Sequence, residues 1–122
     1  MLDHQLLLPA GVLILEPKVP LEAEDFVGLA GEVDPYVAEH GELHGLMIHA
    51  DSFPGWENLE AAVAHIQFIE SHHAKIQRLA VVSDNPLLVE LPKIAGPLLH
   101  PEVKHFPESK YEEALDWLKG AV

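Results

Sequence analysis

The sequence contains no cysteine and few basic residues, and each shortage excludes classes of function. Without cysteine there is no disulfide, thiolate nucleophile, zinc ribbon or iron–sulfur cluster. Seven Lys and Arg stand against twenty Asp and Glu, and the resulting net charge of −13 repels the phosphates of nucleic acids. A signal peptide's basic start is missing, and the longest uncharged run, Gln5 to Leu15, is too short to span a bilayer. We therefore expect a cytoplasmic protein that does not bind nucleic acid.

Apolar residues, by contrast, are plentiful enough to build a hydrophobic core. Hydrophobic residues make up 48% of the 122 positions and the mean hydropathy is +0.10, so we predict one folded domain over residues 1–122. The charge is uneven. Residues 1–74 hold thirteen acids and one base, whereas residues 75–122 hold seven acids and six bases. These charges fit ordinary solubilising helix faces, or a near-neutral side that approaches a membrane or an acidic partner.

The apolar pattern predicts alternating strands and helices. Leu6–Leu8 and Val12–Leu15, separated by the turn-forming Pro9-Ala10-Gly11, predict an opening β-hairpin. The nearly continuous apolar runs Leu43–Ala50 and Arg78–Ser83 are typical of central parallel strands. With a short strand at its end, the chain has the predicted order β-β-α-β-α-β-α-β-α. This is an α/β fold with one layer of mostly parallel sheet and an N-terminal hairpin edge.

Spacing and capping residues place the helices. A helix over residues 22–39 contains Pro35, which predicts a kink or two shorter helices. Ser109 to Glu112 fits a capping box opening the last helix, and Gly120 ends it. The second helix has an apolar stripe expected to pack hard against the sheet. Its residues are Leu59, Ala62, Val63, Ile66 and Ile69, with Ala61, Ala64 and Phe68 widening it on one side.

Residues 85–101 are unusual because four prolines and one glycine interrupt seven large aliphatic residues. Pro92 and Pro97 predict that this segment cannot form one regular helix. It is either a broken helix covering the sheet or a mobile lid over residues 86–99, hinged at Pro92 and Gly96, above a hydrophobic cavity or a bilayer surface. Lys93, between its halves, can meet an anionic head group. The residues predicted to bind a lipophilic ligand are Phe53, Trp56, Phe68, Leu87, Leu88, Leu91, Ile94 and Leu98.

Polar residues follow two of the predicted strands, at the edge where ligands bind in open α/β sheets. Asp51-Ser52 and Ser83-Asp84-Asn85 can hold a magnesium ion or form an acid/base pair, or they are simply turn formers and helix caps. No glycine-rich phosphate loop or G-x-S-x-G motif accompanies them. Among nine histidines, His65 and His72 share a helical face but lack a nearby carboxylate at ligand spacing. We therefore predict no metal, no cofactor and no enzymatic activity.

Three segments resemble one known family. They are Asp51 to Trp56, Arg78 to Asp84, and the last segment from Phe106 through Glu113 to Leu118, and the chain resembles the SpoIIAA-like family over nearly its whole length. That family is a small bacterial α/β group related to STAS domains, the anti-sigma-factor antagonists, and in fold to CRAL-TRIO lipid-exchange domains. The resemblance implies a domain without established catalysis, in which a helical segment opens or closes over an apolar pocket and which associates with membranes.

The resemblance also carries a regulatory alternative. Anti-sigma antagonists are phosphorylated on a Ser that directly follows an Asp after a central strand, and Asp51-Ser52 lies at such a position. The family motif then continues with a small hydroxyl residue and Gly, whereas this chain continues Phe53-Pro54-Gly55. This departure counts against a phosphorylation switch at Ser52.

The leading prediction is a non-enzymatic module that binds a lipophilic small molecule or lipid under the lid and contacts membranes peripherally. The alternative is a STAS-type regulatory switch that binds a protein partner through Asp51-Ser52. A third class is a small hydrolase using Asp51, Asp84 or a histidine. An exposed lid is also compatible with a homodimer contact.

Overall fold

The computed structural model describes residues 2–120, apart from the side chain of Ala95, and confirms the predicted α/β fold and its order of elements. Five strands form one sheet in the order β1-β2-β3-β4-β5. β1 is antiparallel to β2, and the remaining pairs are parallel. The strands are β1 (Asp3–Leu7), β2 (Val12–Glu16), β3 (Leu43–His49), β4 (Ile76–Val82) and β5 (Glu102–Phe106). The helices are α1 (Ala23–His40), α2 (Leu59–His72), α3 (Pro86–Ala95) and α4 (Tyr111–Lys119).

The sequential strand order determines which face each helix covers. Each crossover from β2 to β5 advances by one strand in the same direction, and crossovers of one hand place α1, α2 and α3 on one face. Leu13, Leu46 and Leu79 point to that face and pack in a core with α1 and α2. On the opposite face, Met47 and Ala80 pack with α4.

α1 is one continuous helix, so the expectation of two shorter helices is wrong. Pro35 lacks the N–H that would bond the carbonyl group of Gly31, but both residues are exposed and water can solvate that carbonyl. At the start of the helix, the Asp25 carboxylate accepts hydrogen bonds from the backbone N–H groups of Glu22 and Leu2, at 2.8 and 3.0 Å. One exposed proline therefore does not end a helix that is anchored at its first turn.

The predicted packing of α2 is wrong. Most of its apolar stripe is exposed, with Leu59 80% and Ile66 54% accessible, and α2 packs mainly against α1. Its inner side consists of the residues that were expected only to widen the stripe, with Ala61 fully buried and Ala64 and Phe68 partly buried. Because apolar residues cover more than half of the circumference of this helix, periodicity alone does not specify which side faces inward.

The expected breaks around α3 and α4 also differ from the structure. α3 continues through Pro92 and ends at Gly96, so the expected helix break at Pro92 is wrong, whereas a break occurs near Gly96 as expected. The predicted capping box is wrong as well, because Ser109 lies in a 3₁₀ turn and α4 begins after Lys110 without a side-chain cap. Gly120, with a left-handed φ of +75°, ends α4 as predicted.

The absence of a side chain at Gly45 allows α4 to approach the sheet closely, and substitution of Gly45 tests this contact. A Cβ atom at Gly45 would lie 2.8 Å from Cβ of Leu118, so we expect Gly45→Ala to destabilise the fold by about 1–3 kcal/mol. Gly28, in α1, has open space around its missing Cβ, and Gly28→Ala should stabilise by about 0.5–1 kcal/mol. Urea unfolding measures both, and equal effects of the two substitutions would contradict this packing.

Candidate functional site

A cavity of about 420 Å³ lies between the sheet and the helices α1, α2 and α3. It exists because α2 packs on α1, whereas α3 packs on β4 and β5, which separates the two helices above the sheet. Side chains of β2 to β5 form its floor, namely Leu15, Leu46, Ile48, Leu79, Val81 and Val103. Across residues 2–120, the lining contains no Asp, Glu, Lys or Arg, and its polar side chains are the histidines His65, His72 and His73. The cavity is therefore suited to an apolar molecule.

Aromatic rings form one continuous wall of the site. The Phe53 ring meets the Trp56 ring edge-on at 5.0 Å, and Trp56 in turn lies 6.0 Å from the ring of His65. His65 stacks on Phe26 of α1 at 4.8 Å with an interplanar angle of 15°. Phe26 lies 6.0 Å from Phe68, the next ring along α2. These contacts fix the position of α2 against α1.

Backbone pairing positions the loop that carries Phe53 and Trp56. The N–H of Leu21 donates to the carbonyl oxygen of Gly55, and the N–H of Glu57 donates to the carbonyl oxygen of Leu21, at 2.8 and 2.7 Å. Gly55 has a φ of +86°, a conformation that favours glycine. The two aromatic side chains are therefore held at the cavity end by a fixed backbone.

Exposed aliphatic residues lie on and just after the two helices, α2 and α3, that border the cavity. On α3, Leu87 is 70% exposed although it also lines the cavity, and Ile94 lies on the same side about two turns further along. On α2, Ile69 lines the cavity and Ile66 continues its stripe outward. We call the exposed residues Ile66, Ile69, Leu87, Leu91, Ile94 and Leu98 the apolar rim. Clustered apolar exposure of this kind marks contact surfaces more often than scattered exposure does.

The structure brings together five of the eight residues predicted to bind a ligand. Phe53, Phe68, Leu87, Leu88 and Leu91 line the cavity. Trp56 does not line it but contacts two residues that do, and Ile94 and Leu98 lie outside it on the rim.

Sequence reasoning missed the residues of the cavity floor, Phe26, and the position of His65, His72 and His73 in the cavity lining. The alternating residues of the central strands were available as a signal for the floor, because every second residue faces the same side. The spacing of His65 and His72 showed that they share a helical face, but not that this face borders a cavity that His73 also lines.

Asp51 and Ser52 lie apart from the apolar cavity, in a polar cleft of about 350 Å³ at the carboxyl ends of β2 and β3. Both are exposed, and six residues separate Ser52 from the start of α2. Ser52 is therefore not at a direct strand-to-helix turn, and this placement does not favour the phosphorylation switch.

The same cleft contains an interaction that sequence reasoning did not find. His49 lies between two carboxylates, with Nδ1 2.9 Å from Glu16 and Nε2 2.6 Å from Glu108. Burial lowers the pKa of His49, but hydrogen bonds to Glu108 and Glu16 outweigh that effect and raise its pKa above 6.5. The contact joins residues 33 and 59 positions apart, so only the folded chain shows it.

The polar residues after β4 are turn and cap residues. Ser83 is buried and its Oγ accepts from the backbone N–H of Asn85, whose own side chain caps α3 by accepting from the N–H of Leu87. Asp84 accepts from the backbone N–H of Glu108. Because the order of the five described strands never reverses, the polar cleft at the ends of β2 and β3 is not the crevice at a reversal point in which α/β proteins usually bind ligands.

Residues 2–120 contain neither a metal-binding cluster nor a membrane-spanning helix. No group of three or more His, Asp or Glu side chains is placed to hold a metal ion. None of the helices there combines the length and the apolar character needed to cross a bilayer.

Comparison with known proteins establishes the family. The SpoIIAA-like family model matches residues 12–119, and the chain belongs to the SpoIIAA-like family. A crystal structure of an uncharacterised protein with a SpoIIAA-like fold from Shewanella loihica PV-4 is similar to it, with a TM-score of 0.75 and 20% identity over 97% of this chain and 92% of that one. A search of curated proteins found no match. The predicted family and fold are confirmed, whereas the likeness to CRAL-TRIO domains stays a prediction.

The raised pKa of His49 gives a pH dependence with a definite sign. Protonated His49 stabilises the fold fully below pH 6.5, the ordinary histidine pKa, and this contribution is lost as pH rises through the raised value. We expect His49→Gln to cost more stability at about pH 6 than at about pH 8.5, measured by urea unfolding.

His44 supplies the matched control, since it is exposed on the same strand and has no side-chain hydrogen bond within the described part of the chain. The free energy of unfolding of His44→Gln should vary with pH in the same way as that of the wild type. A profile of His49→Gln that parallels the wild-type profile would contradict the assigned interaction.

Proposed function

We propose that the protein is a non-enzymatic module that binds a lipophilic small molecule in the cavity between α2, α3 and the sheet. SpoIIAA-like and STAS domains are generally non-enzymatic, and their fold is that of regulatory modules. The observation that carries the proposal is the cavity of about 420 Å³ without a charged lining residue. Ligand pockets typically occupy about 300–1,000 Å³, whereas ordinary cores have few voids larger than a water molecule.

We further propose that the protein exchanges its ligand with a membrane, which the apolar rim would contact. Ile69, Leu87 and Leu91 of the rim line the cavity, so a bilayer in contact with the rim would lie beside the entrance. Within α3, the side chain of Lys93 lies 3.3 Å from that of Glu90, and these opposite charges leave α3 with almost no net charge. This pairing also argues against a dedicated role of Lys93 in binding an anionic head group. Since the whole chain carries a charge of −13, we propose a zwitterionic rather than an anionic membrane.

Filling the cavity tests ligand binding. Leu79 lies on the cavity floor, so Leu79→Trp should weaken binding of the apolar dye Nile red at least about tenfold by occupying the space. Val27→Trp is the matched control, because Val27 is 74% exposed on α1 and lies outside the cavity. Fluorescence titration measures both variants, with circular dichroism to verify folding. Unchanged dye affinity in folded Leu79→Trp would refute binding at this cavity.

Charging the rim tests membrane transfer separately from binding. Ile94 and Leu98 are exposed and do not line the cavity, so Ile94→Glu with Leu98→Glu should slow dye transfer to phosphatidylcholine vesicles and leave dye affinity unchanged. Val27→Glu adds a charge away from the rim and should transfer the dye at the wild-type rate. Stopped-flow fluorescence gives the rates. Equal rates in all three proteins would exclude the rim as the membrane contact.

Light scattering on the same samples tests whether a second copy of the chain, and not a membrane, covers the rim. A wild-type dimer that the two rim substitutions convert to a monomer would show that a second copy of the chain, not a membrane, covers the rim.

A further inference from the structure

Two of the histidines that line the cavity are held in one defined tautomer. The indole N–H of Trp56 points to Nδ1 of His65 at 3.1 Å, and the backbone N–H of His100 points to Nδ1 of His73 at 3.1 Å. Indole and backbone N–H groups only donate hydrogen bonds, so each Nδ1 must accept and carries no proton. Each neutral ring therefore carries its proton on Nε2.

His72 is different, although it also lines the cavity. Its Nδ1 lies 2.9 Å from the carbonyl oxygen of Phe68, and its Nε2 lies 2.7 Å from a carboxylate oxygen of Asp34. Both of its nitrogens are thus engaged within the protein. In the part of the chain described, Nε2 of His65 and Nε2 of His73 have no such partner, which leaves their N–H groups available to a ligand.

His65 is the better positioned of the two donors. Stacking on Phe26 fixes the plane of its ring, and the bond from Trp56 fixes its rotation. Burial lowers the pKa of His65, which keeps the ring neutral at pH 7 and keeps Nδ1 able to accept. His65 thus places a neutral ring of fixed orientation, with its N–H group on Nε2, in the wall of an apolar cavity.

The charge of the lining restricts what this donor can bind. A carboxylate inside the cavity would lose its hydration without meeting Lys or Arg, and burial of an unpaired charge is costly. A neutral acceptor has no such penalty and satisfies the N–H group. Neutral carbonyl oxygens are acceptors of this kind, as in ketones, esters and quinones.

We propose that the cavity selects a neutral lipophilic carbonyl compound, whose carbonyl oxygen accepts a hydrogen bond from Nε2 of His65 while its apolar part covers Leu79 and Val81. This inference rests on the proposed function, since it specifies the ligand class of the same cavity. Nε2 of His73 is the second donor available to the same class of ligand.

Competition against Nile red tests the inference with three probes of equal chain length, 2-dodecanone, dodecane and dodecanoate. In wild type we expect 2-dodecanone to bind more tightly than dodecanoate. His65→Phe keeps an aromatic ring against Phe26 but removes the N–H, so it should weaken 2-dodecanone about tenfold and leave dodecane unchanged. His65→Gln retains an N–H donor and should restore part of the affinity for 2-dodecanone.

His40→Phe is the control, because His40 stacks on Tyr36 at 4.2 Å in a similar geometry but lies outside the cavity. It should change no affinity. Equal weakening of 2-dodecanone and dodecane by His65→Phe would overturn the hydrogen bond while leaving the proposed function intact. Tighter binding of dodecanoate than of 2-dodecanone would overturn the neutral ligand class. If no probe displaces the dye and the dye itself does not bind, the proposed function fails and this inference fails with it.

Discussion

The packing of α2 against α1 is the contact on which the cavity depends. His65 of α2 stacks on Phe26 of α1, and the fully buried Ala61 allows the two helices to approach closely. If α2 instead lay flat on the sheet, its side chains would fill the space above Leu79 and Val81. The same contact orients His65 and leaves Ile66, on the exposed stripe of α2, facing outward. The cavity, its donor and its rim thus follow from one helix–helix interface.

The topology of the sheet explains why the site lies under the helices and not at the strand ends. A sheet whose order follows the chain has no reversal point, and its three crossover helices all lie on one face. That face must accommodate α1, α2 and α3, whereas the other face is covered by α4, which approaches closely enough to require glycine at position 45. The face covered by α4 is tightly packed, whereas α1, α2 and α3 enclose the cavity on the other face.

The sequence predicted the fold well because its signals were local. Continuous apolar runs marked β3 and β4, the Pro-Ala-Gly turn marked the hairpin, and Gly120 marked the end of α4. The predictions failed where a helix-breaking residue stood among apolar residues at helical spacing, because these two local signals favour opposite outcomes. Pro92 is a helix breaker by propensity, yet α3 continues through it.

The site could be predicted only in part, for a similar reason. Phe53, Phe68 and the leucines of α3 were recognisable as apolar residues near a proline-rich segment. The side of α2 that faces inward was not, because apolar residues occupy both of its sides. His65 and His49 acquire their environments from residues distant in the chain, and their spacing alone gives no sign of this.

Native mass spectrometry of protein purified without detergent tests the central claim most directly. We expect a mass adduct that organic extraction removes, that is uncharged and lipophilic, and that Leu79→Trp abolishes. An unliganded mass that persists after incubation with lipid vesicles and with 2-dodecanone would contradict the account. The cavity would then have to be explained without a lipophilic ligand.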